Sequence, residues 1–416
     1  MGKRGEAPHR IAFVVGQTLG NAVYSKNLRA VVEADGDVEA SWYYVDYPRW
    51  AGVRTPGSPN AERESGARAA GKAAGMAKSL ARRAIGGHRQ YEAWAAWASM
   101  CALRMLARDL AYRRHEAILF HTTSTALFSA PLLRDRAVIS LDATPRGVPG
   151  HAEAVVGRPY GRLTGSASHR LHSAAFHAAR ALTPFSEWAK SSLVYDYDVD
   201  PSHITVIPPG VDLEVWRPEP RRQGTGPIKL LFVGRHIEQK GGDVLLRAFT
   251  EHLEPGRYTL DVVTKDTFPS LPGLRVHHEL PANGEELRSL YAAADIFVFP
   301  TRWDTFGIAV IEAMASGLPV IASNLNALPG IVRDGTSGLL VPVENAAALG
   351  AAIERLGRDP ERRRLMGLEG RQAAERRFDL AANAGRVLDL MKEVADESHA
   401  RRRRRFSRAP RAELPD

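Results

Sequence analysis

A single cysteine, Cys101, stands in 416 residues. It cannot form an internal disulfide, and a structural zinc site needs more ligands than one thiolate. No run of about 18 apolar residues occurs, so no segment reads as a membrane-spanning helix. The first apolar run, residues 11–16, is too short for a secretory leader and lacks a small-residue cleavage site. Hydrophobic residues make up 44% and charged residues 25%, a globular balance that excludes a disordered or fibrous chain. A soluble cytoplasmic protein of two or three domains is the expectation.

Net positive charge is absent from the body of the chain. The net charge is +9, but residues 62–90 and 398–416 carry +5 each, so the remainder sums to −1. An enzyme working on nucleic acid more often spreads positive charge over its working surface. In the first basic stretch, Arg68, Lys72, Lys78, Arg82 and Arg83 fall within about 140° of a helical wheel. The opposite side is mostly alanine, with Leu80 and Ile85. Such a helix adheres electrostatically to the anionic inner face of a membrane but inserts poorly; a solvated surface helix is the alternative. The second stretch, RRRRRFSR at 401–408, reads as a disordered tail.

Between these patches, strand and helix patterns alternate. IAFVVG (11–16), WYYVDY (42–47), AILFH (117–121), AVISLD (137–142), RALTPF (180–185) and ITVIPPG (204–210) read as strands. Helices are expected at about 21–33, 62–86 and 90–114, between the strands at 117–121 and 137–142, and over SEWAKSSLVY. Residues 48–61 read as a Pro/Gly-rich loop. In the second half, IKLLFVG (228–234), YTLDVVT (258–264), LRVHHEL (274–280), DIFVFP (295–300), LPVIAS (318–323) and GLLVP (338–342) alternate with helices, and three helices close the chain. This is the pattern of parallel sheets covered on both faces. The fold class is therefore α/β, with two doubly wound Rossmann-like domains and an inter-domain cleft. The boundaries are 1–210 for an acceptor-side domain with a basic helical insertion at about 60–114, 211–397 for the second domain, and 398–416 for the tail.

Two segments carry chemistry. In FVFPTRWDTFGIAVIEAMASGLPVIAS (297–323) a strand ends at Pro300 and a helix opens near Phe306. The amides of Phe306, Gly307 and Ile308 would be unpaired at that helix start, which suits phosphate. Asp304 in the loop and Glu312 about two turns into the helix could border one crevice and accept hydrogen bonds from sugar hydroxyls. The alternative is an N-capping aspartate and a solvent-facing glutamate. In FVGRHIEQKGGDVLLRAF (232–249), Arg235 and Lys240 follow a strand at the same sheet edge. Two cations there could neutralise a diphosphate; a solvated charged loop is the alternative.

Together these motifs resemble the retaining GT-B glycosyltransferases, especially glycosyltransferase family 4. The family shows a Gly-Arg…Lys-Gly loop like Gly234-Arg235…Lys240-Gly241. It also shows an acidic pair bracketing Phe-Gly, like Asp304-Thr305-Phe306-Gly307…Glu312; its first acid is usually Glu. IPPGVDLEVWRP (207–218) resembles its interdomain strand and linker. Gly20 resembles the glycine of its first loop, and His121 the histidine at the end of its fourth strand. The family's glycines after YTLDVVT are replaced by Thr264, Lys265 and Asp266.

The resemblance implies a nucleotide-diphosphate sugar as donor substrate, with no separate cofactor and no required metal. Arg235 and Lys240 would bind the donor diphosphate, and Glu312 the ribose. Asp304 with the amides of Phe306, Gly307 and Ile308 would face the donor sugar and phosphate. His121 would contact the sugar near its reacting end. The C-terminal helix, about 379–397, would return to the N-terminal domain. Two other readings stay open: a sugar-nucleotide epimerase of the same fold, and a non-catalytic basic binding protein with a degenerate donor site. YDYDVD (195–200) reads as a polar turn, Cys101 as inert core, and Asp142 as either an acceptor contact or a turn residue.

Overall fold

The computed structural model describes residues 7–16, 19–45, 87–110, 115–146, 162–219, 226–278 and 280–407. The loop 48–61, the basic stretch 62–86 and residues 408–416 lie outside them. The chain divides into two compact units. The first comprises Met1–Phe185, Ala189–Ile207 and Ala384–Asp416; the second comprises Ser186–Trp188 and Pro208–Asn383.

The first unit is built on a parallel sheet of β1 (His9–Gly16), β2 (Val38–Val45), β3 (Ala117–His121), β4 (Ala137–Leu141) and β5 (Ala181–Pro184), in the order β2-β1-β3-β4-β5. AILFH, AVISL and ALTP are buried at every residue. Such unbroken runs suit central strands covered on both faces. On one face Ile118, Phe120 and Ile139 meet Ala98 and Leu106 of α2 (Gly87–Leu110) and Phe176 of α5 (Arg162–Ala178). On the other, Phe13, Leu119 and Val138 meet Leu28 and Val32 of α1 (Leu19–Ala34). That second face is completed by Val387, Leu388 and Met391 of α13 (Leu380–Ser407). Two single-turn helices, α3 (Thr123–Ala126) and α4 (Ser129–Leu132), stand where one helix was expected, and α6 (Glu187–Tyr197) follows β5.

The second unit holds β6 (Ile228–Val233), β7 (Tyr258–Thr264), β8 (Leu274–His278), β9 (Ile296–Phe299), β10 (Val320–Ser323) and β11 (Gly338–Val341). Their order is β11-β10-β9-β6-β7-β8, with every pairing parallel. Its helices are α7 (Gly242–Glu251), α8 (Glu285–Ala293), α9 (Ile308–Ala315), α10 (Leu328–Ile331), α11 (Ala346–Gly357) and α12 (Pro360–Arg377). Side-chain caps set the starts of α11 and α12. The Asn345 side chain accepts the Ala348 amide at 2.8 Å, and Asp359 accepts that of Arg362 at 2.8 Å, just ahead of Pro360. The Arg371 guanidinium donates to the carbonyls of Trp216 and Ala315 at 2.7 and 2.8 Å, tying the segment after Gly210 to the C-terminal end of α9.

Five expectations need correction. β2 begins at Val38 rather than residue 42 and pairs with β1 along its whole length; as an edge strand it tolerates Glu39 and Ser41, which hid its start. ITVIPPG forms one bridge, Leu182 to Ile204, and no strand. Thr205 and Ile207 donate to β5, but Pro184 has no N–H to return. The helix α5 was not foreseen. The second domain does not run to 397, because Ala384 onward belongs to the first unit. Residues 398–407 are not a disordered tail: α13 continues to Ser407. Ser398 is buried, and His399 and Arg401 reach Glu116 and Asp135 at 3.1 and 3.3 Å.

Candidate functional site

In the second sheet the strand order reverses between β6 and β9. Chain leaving these two neighbours diverges to opposite faces and opens a crevice beyond their C-terminal ends, where doubly wound sheets take their ligands. The Arg235–Lys240 loop leaves β6, and the Asp304 loop leaves β9. The two motifs found in sequence therefore flank one reversal point.

The structure joins them directly. Lys240 Nζ lies 2.7 Å from Asp304 Oδ2 and donates to the Trp303 carbonyl at 3.0 Å. Both side chains are mostly shielded, at 19% and 16% exposed, so the pair is held in a partly dry setting. Asp304 Oδ1 accepts the Phe306 amide at 3.0 Å. This corrects the expectation that Phe306 would keep an unpaired N–H. A side chain as short as aspartate folds back on the amide two residues ahead. The next amides, of Gly307 and Ile308, open α9 and have no carbonyl of their own helix to reach. Gly307 adopts φ 98° and Gly241 φ 68°, both left-handed. A Cβ on Gly241 would sit 1.9 Å from the Pro300 carbonyl, so glycine lets the two loops touch.

Arg235 is exposed, while its carbonyl accepts Thr264 Oγ1 at 3.1 Å and the Lys265 amide at 3.3 Å. Asp266 Oδ2 accepts the Ile237 amide at 2.9 Å. The residues standing in place of the family's glycines thus brace the Arg235 loop.

Glu312 corrects the alternative reading of a solvent-facing glutamate. It is the fifth residue of α9, little more than one turn in, and is only 7% exposed, so it is not solvent-facing. Burial pushes its carboxyl up to about 8, and the Tyr291 hydroxyl, 3.2 Å from Oε2, pulls the other way. At neutral pH the fold therefore holds Glu312 mainly as the neutral acid.

Sequence reasoning missed Arg302. Its guanidinium bonds Asp243 on α7 and Glu344 in the loop after β11, and it donates to the Glu238 carbonyl at 2.5 Å. Its amide reaches the Gln239 carbonyl at 3.1 Å, which Thr301 Oγ1 also contacts at 3.2 Å. One side chain so pins the Lys240 loop, the Asp304 loop and the β11 loop. A signal was present: an arginine next to a strand end and two residues before the acidic motif.

The first sheet reverses between β1 and β3. Gly20 and His121 flank that point. Gly20 is the second residue of α1, which starts before the expected residue 21. His121 ends β3 with 1% exposure, its ring 4.6 Å from that of Tyr24 and 5.6 Å from Phe185. Burial lowers its pKa to about 3, so it is a neutral imidazole. Thr122, next in chain, has φ 75°, a costly conformation for a β-branched residue. YDYDVD is only in part the turn expected: Tyr195, Asp196 and Tyr197 are the last residues of α6, and the chain turns after them, where Asp198 is left-handed and Asp200 accepts the Ser202 amide at 2.8 Å. Cys101 packs partly buried against the α2 core. Among the described residues no helix is long and apolar enough to cross a membrane, and no group of three or more His, Cys, Asp or Glu side chains could hold a metal ion.

Residues 227–359 match the family described as glycosyl transferases group 1. A D-inositol 3-phosphate glycosyltransferase of Corynebacterium kroppenstedtii is 33% identical over 236 residues, covering 50% of this chain and 52% of the relative. The chain thus spans about half the length of the curated relatives it matches. Among solved structures, sucrose-phosphate synthase of Thermosynechococcus elongatus superposes with a TM-score of 0.67 at 19% identity, over 93% of this chain and 99% of that one. HepE of Anabaena, solved in complex with UDP-glucose, gives 0.63 at 12% identity, over 92% and 99%. These likenesses establish the two-unit GT-B fold expected from the sequence.

Proposed function

We propose, from the premise that residues 227–359 are a group 1 glycosyl transferase domain, that the protein moves a sugar from a nucleoside diphosphate donor to an acceptor hydroxyl. The observation that carries this reading is the Lys240–Asp304 pair at the strand-order reversal of the second sheet. Lys240 and Arg235 face the diphosphate, whose charge grows as the bond to the sugar breaks. Cations fixed in advance at that point stabilise the transition state more than the ground state. Asp304 holds Lys240 in place and shares the sugar-facing edge with the amides of Gly307 and Ile308. Glu312 takes the ribose. His121, neutral and buried, is the candidate for contact with the sugar near its reacting end.

The reaction proposed retains anomeric configuration. The acceptor oxygen attacks from the face the diphosphate is leaving, and the departing phosphate oxygen takes the acceptor proton. Charge on that phosphate is met by Arg235 and Lys240, so the proposal requires no metal. HepE carries UDP-glucose in its structure, which favours a uridine donor here. Sugar transfer in glycan or glycolipid synthesis, at the cytoplasmic face of a membrane touched by the basic residues 62–90, fits the charge distribution of the chain.

The test is calorimetric. UDP, ADP and GDP, with their glucose esters, are first ranked by the rise in melting temperature they give the wild-type protein. The best pair is then titrated into three variants. Lys240→Ala should cut turnover about a hundredfold with a smaller loss of donor affinity. Asp304→Ala should weaken the sugar-bearing donor more than the bare diphosphate, and Glu312→Gln should weaken both. If Asp304→Ala and Glu312→Gln both bind as wild type does, the carboxylates are structural and the reading fails.

A further inference from the structure

Tyr291 sits on α8, in a core position of EELRSLYAA, and is 1% exposed. Its ring stacks on Phe297 of β9 at 5.5 Å and meets Trp216 edge-on at 5.0 Å, so it has no freedom to swing. Its hydroxyl lies 3.2 Å from Glu312 Oε2 and 3.3 Å from the Ala309 carbonyl. One O–H has one proton, and here two acceptors are at similar distance.

Two arrangements satisfy this geometry. In one, Glu312 is ionised and Tyr291 donates to it. In the other, Glu312 is protonated, donates to the Tyr291 oxygen, and Tyr291 donates to Ala309. Which one holds fixes where the remaining lone pairs and proton of Glu312 point. We propose that Tyr291 is a positioning residue: its hydroxyl aims the Glu312 carboxyl and selects the form in which that carboxyl receives the ribose. The inference rests on the reading of Glu312 as the ribose contact and adds the residue that sets it.

A ribose diol donates best to the ionised carboxyl, since charged acceptors make the stronger bonds. Burial opposes ionisation, and Tyr291 is the group that favours it; among the described residues no charged side chain enters the balance at Glu312. Binding near neutral pH therefore releases a proton. Removing the Tyr291 hydroxyl raises the pH at which the competent form appears.

Titration calorimetry from pH 6.5 to 9.5, with whichever of UDP, ADP and GDP most stabilises the full chain, tests this. Wild-type affinity should climb through the region of pH 8. Tyr291→Phe keeps both ring contacts. It should move the climb to higher pH and cost about fivefold in affinity at its former midpoint. Glu312→Gln should give a weak, flat profile. If Glu312→Gln flattens the profile but Tyr291→Phe superimposes on wild type, the positioning role is wrong while the ribose assignment stands. If Glu312→Gln leaves the profile unchanged, the ribose assignment falls and the inference with it. Should Tyr291→Phe fail to fold, wild type decides: titration at pH 7 in phosphate and in Tris must differ in heat by a released proton, and equal heats overturn the proposal.

Discussion

Glu312 shows what a single side chain costs the fold. In solution its carboxyl ionises near 4.5; buried in α9 it holds its proton to about 8. The folded state thus binds a proton that the unfolded chain has lost over that interval. Stability from this group is full below about pH 4.5, declines as pH rises, and levels off above about pH 8. A glutamine has the same shape and no such loss. Glu312→Gln should therefore melt with wild type near pH 4.5 and a few degrees above it at pH 8.5, as followed by circular dichroism. Equal melting temperatures at both pH values would show that Glu312 ionises freely in the fold. The residue that weakens ligand binding when replaced would then be one whose replacement stabilises the protein, a trade expected of functional positions.

At the scale of elements, three loops at the C-terminal ends of β6, β9 and β11 meet at Arg302. Arginine suits this place because its planar fork bonds two carboxylates and a carbonyl together, which lysine cannot reproduce. Asp243 and Glu344 are about half exposed, so the ion pairs themselves add little stability. Their effect is geometric. Arg302→Lys should leave melting nearly unchanged yet lower affinity for a nucleoside diphosphate several-fold, with little change for the corresponding monophosphate, because Lys240 loses its fixed position. Equal losses for both ligands would point to general loosening of the loops instead.

The elements themselves were largely legible in sequence. Buried parallel strands such as AILFH and IFVF announce themselves as apolar runs, and the Phe-Gly motif marks its helix within two residues. What was hidden depends on partners distant in sequence. The burial of Glu312 was not legible because nothing local tells that Tyr291 covers it. Arg302 was passed over because its partners Asp243 and Glu344 are far along the chain. ITVIPPG looked like a strand because the missing N–H belongs to Pro184 on its neighbour.

At the scale of the molecule, the C-terminal helix is the largest revision. Ser398 is buried, His399 reaches Glu116, and Glu397 forms paired bonds of 2.7 Å with Arg180. Truncation after Glu397 removes two of these anchors. It should lower the melting temperature by several degrees; a chain ending at Glu397 that melts with the full protein would show that the anchors contribute nothing.

The route of the chain through the two units has a further consequence, for the order in which the protein is made. The second unit is nearly one continuous stretch, ending at Asn383. The first must await Val387, Leu388, Met391 and Val394 to close one face of its sheet. These residues leave the ribosome only after the whole of the second unit. During synthesis the unit encoded first is the one finished last, and its apolar face stays open while its neighbour folds. A chaperone has its longest opportunity there, and a stalled or prematurely terminated chain would aggregate through that face.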